Sequence, residues 1–290
     1  MPLTLPSPCK VNLILNILRK RPDGFHELET VMQPVNFCDQ LEFSRAHPGV
    51  RLTCSHPHLP VDGRNLVHCA ASAFLKTAGI ADGVRIHLEK KIPMAAGLGG
   101  GSGNAATTLL GLNQLFGAPL PPAQLTEIAA TLGSDIPFFL QSQPALATGR
   151  GEHVVAVEPF VALRGAFILL IHPGFGISTP WAYQQLANFP AALNGQPGRA
   201  QRLLALLQGN DLAAAGAEFY NSLEAPALHK YPLLAIFQEF LKATGAAAAL
   251  MSGSGSTTFA LTTSQSACES LREQFKMKFG ETHWTAIVPL

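Results

Sequence analysis

The sequence predicts a mixed α/β protein of two domains, and three observations carry that expectation. A chain of 290 residues with 47% hydrophobic side chains can build one large core or two smaller ones, and its length favours two. In the first half a strand runs through a glycine-rich turn into a helix. After a weakly patterned stretch at 150–165, a new buried strand opens a second half. The boundary is expected near residue 160, which divides the chain into 1–160 and 161–290.

The elements follow from hydrophobic spacing. "VNLILNIL" (11–18) is almost continuously apolar and reads as a strand buried on both faces, whereas "VRIHLE" (84–89) alternates like a half-buried strand. Beyond the glycines, Ala105, Leu109, Leu112 and Phe116 share one helical face, and Gly117 ends the helix. Pro121 and Pro122 start a second helix with Leu125, Ile128, Ala129 and Leu132 on one side and Gly133 at its end. "AFILLIHPG" (166–174) is the buried strand that opens the second half. There "FPAALNGQPGRAQ" (189–201) reads as a loop, and a helix over 232–243 points Leu233, Ile236, Phe237, Phe240 and Leu241 inward. A second glycine-serine cluster, "MSGSGSTTFAL" (251–261), leads into a strand from about Thr257.

Composition narrows the partners. A formal net charge of +1 and the lack of a dense Lys/Arg block give no electrostatic footprint for nucleic acid or an anionic membrane, so small molecules are expected. No apolar run approaches the roughly 18 residues of a spanning helix, and the start "MPLTLPSPCKVNL" lacks a leader pattern. Cys9, Cys38, Cys54, Cys69 and Cys268 are odd in number, scattered and without a CxxC pair. A cytoplasmic protein with ordinary thiols is expected.

"PMAAGLGGGSGNAAT" (93–107) places five glycines, Gly97, Gly99, Gly100, Gly101 and Gly103, within seven residues. Without Cβ atoms such a loop can turn successive N–H groups into one concavity, and the helix that follows adds its own N-terminal donors and dipole. An anion cradle is therefore predicted. It is not a Walker loop, because no lysine follows the last glycine, nor a dinucleotide fingerprint, because residues 116–125 contain no acid. Phosphoryl transfer needs positioning, charge neutralisation and a group to take the nucleophile's proton. Asp135 in "SDIPFF" is the candidate base, with a helix N-cap as the competing reading. Lys10, entering a buried strand, must find a partner or snorkel out to solvent, and beside Asp135 it would keep the carboxylate ionised.

"SPCKVNL", "PMAAGLGGGSGNAA" and "MSGSGSTTFAL" together resemble the GHMP kinases, the superfamily of galactokinase and the homoserine, mevalonate and phosphomevalonate kinases. "PDGFHELET", "RNLV", "LGSDIPFFL", "GRGE", "HPGFGISTPWAY" and "NSLE" extend the resemblance over most of the chain. They point to the branch in the non-mevalonate isoprenoid pathway whose acceptor is a cytidine diphosphate sugar alcohol, phosphorylated on its C2 hydroxyl. The resemblance implies an N-terminal domain like ribosomal protein S5 domain 2 and a ferredoxin-like C-terminal domain. It also implies ATP as co-substrate with Mg2+. Pro93, Met94, Ala95, Ala96, Gly97, Leu98, Gly99, Gly100, Gly101, Ser102 and Gly103 would wrap the ATP phosphates, with Asn65 and Lys90 near the adenosine. Asp135 would be the general base and Lys10 its charged partner. On the acceptor side it implies Asn12, the rings of Phe25 and Tyr183 holding cytosine between them while His26 reads the base edge, and Gly253, Ser254 and Gly255 near the phosphates.

Four positions depart from the family pattern. Phe25 and Tyr183 exchange the usual Tyr and Phe, Cys9 replaces a common alanine, and Gly103 stands where a second serine is usual. The metal ligands are not identified, since Ser102 could bind either a phosphate oxygen or magnesium. Two alternatives stay open: a GHMP kinase with another acceptor, against which "PDGFHE" argues, and a silent nucleotide-binding relative, against which Lys10, Asp135 and the intact loop argue.

Overall fold

The structure, a computed structural model, describes residues 2–290. In chain order the elements are β1 (Leu3–Lys20), β2 (His26–Ala46), β3 (Val50–Cys54), α1 (Leu66–Thr77), β4 (Gly83–Glu89), α2 (Gly100–Leu115), α3 (Pro122–Leu132), β5 (Ala145–Gly149) and β6 (His153–Ala156). There follow β7 (Phe167–His172), α4 (Thr179–Gln185), α5 (Pro190–Leu193), α6 (Arg199–Leu207), α7 (Leu212–Ala217), β8 (Tyr220–Asn221), α8 (Glu224–Lys230), α9 (Pro232–Ala243), β9 (Ala248–Met251), β10 (Thr258–Thr262), α10 (Gln265–Phe279) and β11 (Trp284–Pro289). Two compact units form, and they are interleaved in sequence. One holds the chain through Cys9, Phe37–Pro93 and Gly99–Ser142, the other Lys10–Asn36, Met94–Leu98 and Gln143–Leu290.

In the first unit β4 alternates as expected, with Val84, Ile86 and Leu88 buried and Arg85 and His87 exposed. It pairs antiparallel with the second half of β2, from Gln40 opposite Glu89 to Ala46 opposite Gly83, and parallel with β3. Helices α1, α2 and α3 pack on one another. Full burial of Phe43 and Phe74 contributes about 1.5–3 kcal/mol each. Helix α2 comes close to β2 at Gly111, where an added Cβ would lie 2.5 Å from the Phe43 ring.

In the second unit the first half of β2 pairs antiparallel with β5, β5 with β6, and β1 runs parallel to β8. Strands β11-β7-β10-β9 form a separate antiparallel sheet. Numbered by their own appearance these four strands lie in the order 4-1-3-2, and the intervening helices give the β-α-β-β-α-β succession of a ferredoxin-like fold. Leu169, Ile171, Phe237, Leu241, Ala260, Leu271 and Phe275 form the core between this sheet and α9 with α10.

Several expectations change. Strand 11–18 is the buried middle of an 18-residue β1. Strands β2, β5 and β6 are not among the strands expected from the sequence, although burial alternates along the second half of β2 and along β5. Part of the 189–201 loop is helical, in α5 and the start of α6. Helix α9 has the expected bounds, and Leu233, Phe237, Phe240 and Leu241 face the core as expected. Ile236 does not: it is 49% exposed, whereas Leu234 and Gln238 are buried. Gln238 Nε2 donates to Glu224 Oε1 at 2.6 Å, which gives the buried amide a partner.

The α2–β2 contact gives a stability test. Gly111→Ala is expected to lower unfolding stability by about 1–3 kcal/mol, through overpacking against a fully buried ring. Urea denaturation would measure the loss, and an unchanged midpoint would contradict the packing.

Candidate active site

The loop after β4 turns its carbonyls and its N–H groups in opposite senses. In the second unit Ile177 N donates to Ala95 O (3.3 Å), Thr257 N to Ala96 O (3.1 Å), Ser252 Oγ to Gly97 O (2.9 Å) and Lys10 N to Leu98 O (3.0 Å). Four successive carbonyls are thus engaged. By contrast, no N–H from Met94 to Ser102 donates to another protein group among the described residues. Left-handed backbone at Ala95 (φ 51°), Gly97 (φ 75°) and Gly99 (φ 69°) produces this arrangement. At Gly97 no side chain fits, since an added Cβ would lie 2.0 Å from Ser252 O. Gly99 is the N-cap of α2 and brings no capping side chain, so the helix presents unspent donors and the positive end of its dipole. Such a surface accepts an anion.

What holds the ends of the loop was not foreseen. Asp39 on β2 is fully buried and its carboxylate accepts from Lys91 N (2.7 Å), Ile92 N (2.8 Å), Asn104 Nδ2 (2.9 Å) and the Lys90 ammonium. Asn104 also donates to Ser7 Oγ at 2.9 Å. Asp39 therefore ties the residues before the loop to the first turns of α2. A sequence signal existed, because Asp39 shares the inward face of β2 with Leu41 and Phe43, where an acid is out of place. Lys90 and Asn65, expected near adenosine, both have structural partners. The Lys90 side chain is 6% exposed within its ion pair, and Asn65 caps α1 by accepting from Val67 N (2.9 Å) while donating to Pro60 O (2.7 Å). A side chain at position 103 would meet Pro8 O at 2.7 Å and Ser7 Oγ at 3.2 Å, so it would run into β1 rather than add a hydroxyl to the loop.

Lys10 does find a partner. It is buried, and its ammonium donates to Asn12 Oδ1, two residues along the same strand face. Asn12 Nδ2 donates to Thr30 Oγ1 (2.8 Å), whose hydroxyl donates to Ile14 O (2.6 Å). This relay fixes the lysine's position, and Thr30 is a member that the sequence did not single out. Next to it, Gly253 has φ 55°, and an added Cβ would lie 2.9 Å from Gly97 O, 3.3 Å from Asn12 Oδ1 and 3.4 Å from Lys10 Nζ. Lys10, Asn12, Gly97 and Gly253 are thus brought together. Ser254 exchanges a hydrogen bond with Thr179 at 2.8 Å, and Gly255 N donates to Ser252 O at 2.9 Å. Burial pushes the Cys9 thiol up to about 12, so it stays neutral beside Lys10.

Asp135 is half-buried in the turn after α3. The short helical turn that follows, Pro137–Leu140, has Ile136 at its N-cap, so the capping position is not Asp135. Between β1 and β2, Asp23 Oδ1 accepts from Phe25 N at 3.1 Å, and Arg21 pairs with Asp23 (3.1 Å) and Glu27 (2.8 Å). This turn presents Phe25, 53% exposed, with the Arg150 guanidinium 4.8 Å from its ring centroid. The His26 and Tyr183 rings lie 5.1 Å apart with a 39° tilt. Burial, and then the charge of Lys20, hold His26 below the usual imidazole range. It is neutral at pH 7 and offers one donor and one acceptor nitrogen.

The chain matches the model for the GHMP kinases N terminal domain over residues 65–143 and that for GHMP kinases C terminal over 189–280. It is 39% identical over 277 residues to the 4-diphosphocytidyl-2-C-methyl-D-erythritol kinase of Geobacter sulfurreducens, with 95% of each chain covered. The Synechococcus sp. (strain JA-3-3Ab) protein of the same name is 40% identical over 284 residues, covering 96% of this chain and 91% of the relative. A crystal structure of 4-(cytidine 5'-diphospho)-2C-methyl-D-erythritol kinase superposes with a TM-score of 0.79 at 32% identity, covering 99% of this chain and 100% of the other. Homoserine kinase from Cytophaga hutchinsonii has the same fold, with a TM-score of 0.76 at 22% identity and coverage of 99% and 93%.

The Asp39 cluster carries its own test. Asp39→Ala would leave the Lys90 charge buried without a counter-ion and is expected to cost about 3–5 kcal/mol of stability in chemical denaturation. A loss below about 1 kcal/mol would mean that solvent reaches Lys90.

Proposed function

The chain belongs to the 4-diphosphocytidyl-2-C-methyl-D-erythritol kinases, a branch of the GHMP kinases, and we propose that Asp135 and Lys10 carry its phosphoryl transfer while the 93–103 loop holds the ATP phosphates. The reaction is ATP-dependent phosphorylation of the C2 hydroxyl of 4-diphosphocytidyl-2-C-methyl-D-erythritol, in the non-mevalonate route to isoprenoid precursors. The single observation that supports this assignment of parts is the run of unspent N–H groups from Met94 to Ser102, opposite four engaged carbonyls. Donors fixed in advance need no reorganisation as charge shifts during the transfer.

In this reading Asp135 takes the proton from the C2 hydroxyl, whose oxygen bonds to the γ-phosphorus. The bond from that phosphorus to the β-phosphate oxygen breaks, and ADP leaves. Lys10, fixed through Asn12 and Thr30, supplies positive charge to the carboxylate and to the transferring group. Phe25 and Tyr183 offer ring faces to cytosine, and neutral His26 suits a base edge that has both donors and acceptors. Gly253, Ser254 and Gly255 allow the acceptor a close backbone approach.

Magnesium is the second proposed cofactor. The first turn of α2 contains no acid, and no cluster of three or more His, Cys, Asp or Glu suited to a metal occurs among the described residues. The half-buried Ser102 hydroxyl in the first turn of α2 is the protein group that would hold magnesium beside the phosphate oxygens. When bound it would offset phosphate charge. The formal net charge of +1 supports small molecules as partners rather than nucleic acid or membrane, and dependence on ATP supports a cytoplasmic site. No helix among the described residues is long and apolar enough to cross a membrane.

Two kinetic outcomes test these roles. Asp135→Asn should lower kcat by about 10²–10⁴-fold with unchanged circular dichroism and Tm, and near-native turnover would remove Asp135 as the base. In a panel of acceptors the cytidine diphosphate substrate should be phosphorylated, and His26→Ala should raise its KM at least tenfold without changing the KM for ATP. Turnover of homoserine or mevalonate instead would overturn the acceptor assignment.

A further inference from the structure

We infer that Asn221 is a positioning residue for the phosphoryl transfer, setting the Ser252–Gly255 turn beside the Lys10 ammonium. The inference rests on the reading that this turn faces the acceptor. It starts from "NSLE" (221–224), a segment with no assigned role. Its first residue ends β8, which runs parallel to β1 with Ile14 opposite Tyr220 and Leu15 opposite Asn221. Ser222 locks that register, since its N–H donates to Leu15 O (2.8 Å) and its Oγ accepts from Ile17 N (2.9 Å). The segment is therefore anchored to the strand that carries Lys10.

Asn221 is 1% exposed and its amide is used on both sides. Nδ2 donates to Met251 O and to Gly253 O, each at 2.7 Å, and Oδ1 accepts from Leu223 N at 2.9 Å. One amide can reach carbonyls two residues apart only where the chain between them turns, and the left-handed backbone of Gly253 provides that turn. Three residues on, Glu224 Oε1 accepts from Met251 N at 2.8 Å. The N–H and C=O of Met251 are thus both held by "NSLE" side chains.

The held turn abuts the reacting groups. Gly253 faces Gly97 O, Asn12 Oδ1 and Lys10 Nζ with no room for a methyl group, and Ser252 Oγ donates to Gly97 O. If the turn moved by an ångström it would press on Lys10 or open a gap beside it, and a displacement of that size in a catalytic arrangement costs about 10²-fold in rate. Asn221 itself is two bonds removed from the chemistry, because its contacts are to carbonyls behind the turn.

The test compares the full-length wild type with Asn221→Ala, Asn221→Asp, Ser222→Ala and Gly253→Ala. Asn221→Asp keeps an acceptor for Leu223 N but sets a buried carboxyl against the Met251 and Gly253 carbonyls, so the Asn221 variant that retains the higher Tm is the one read for kcat. Hydrogen exchange of the 251–257 amides, Tm, kcat and both KM values would be measured well below every Tm. In the Asn221 variants exchange in the turn should rise at least tenfold and kcat fall ten- to hundredfold, while the KM for ATP stays within threefold. Ser222→Ala, which loses the bond from Ile17 N but keeps its own N–H bond to Leu15 O, should lower Tm and reduce kcat less than either Asn221 variant. Unchanged exchange in the turn overturns the inference, and so does raised exchange with wild-type kcat. Wild-type kcat in Gly253→Ala would instead sink the reading of the turn itself, whereas an impaired Gly253→Ala beside an unimpaired Asn221→Asp removes only the role given to Asn221.

Discussion

The carboxylate of Asp39 is the constraint from which the glycine loop takes its form. A loop of glycines has no side chains with which to hold a shape, so the shape must be imposed at its ends. Asp39 does this from β2, gathering Lys90, the N–H groups of Lys91 and Ile92, and the amide of Asn104. A buried carboxylate is costly to desolvate and is tolerated where donors and a counter-charge replace water. Here four protein groups do so, and they belong to the segments before and after the loop. The requirement that satisfies the charge therefore also fixes where the loop leaves β4 and where α2 begins.

With its ends fixed, the loop is shaped by carbonyl acceptance. Ala95, Ala96, Gly97 and Leu98 each surrender a carbonyl to a donor in the second unit, and those donors include the backbone of Lys10 and the side chain of Ser252. Gly97 recurs beside the lysine ammonium, since its carbonyl and Lys10 Nζ both lie against Gly253. Lys10 thus acts twice, once through its backbone on the loop and once through its side chain on Asn12. Displacing β1 near Lys10 would move the Leu98 end of the loop and the lysine charge together, which couples two segments that are far apart in sequence.

What the sequence made legible was local. Glycine density, the strand before it, the helix after it, the Pro-Pro start of α3 and the bounds of α9 depend on near neighbours in the chain, and all are present. Asp39 was missed because its four donors lie 51 to 65 residues away, although its position in register with Leu41 and Phe43 was a readable anomaly. The inward place of Gln238 on α9 was missed for a similar reason: it looks like a surface residue until Glu224, fourteen residues upstream, supplies its partner. Asn65 and Lys90 illustrate a different limit. Sequence resemblance marked them as nucleotide neighbours, and it could not convey that the same groups also cap α1 and neutralise Asp39.

The two substrates are written in the chain by different physical means. In the proposed reading phosphate is met by backbone N–H groups, which every residue except proline possesses, so the sequence requirement there is for absent side chains. That is a requirement many acceptor chemistries can share, and homoserine kinase keeps the same fold at 22% identity. A base, in contrast, must be recognised by ring faces and by donors and acceptors at set points, which only side chains provide. Phe25, His26 and Tyr183 come from the β1–β2 turn and from α4, outside the glycine loop. On the proposed assignment, the exchange of Tyr and Phe that the resemblance implies at the two ring positions preserves the faces and moves a hydroxyl, while the glycine loop is untouched.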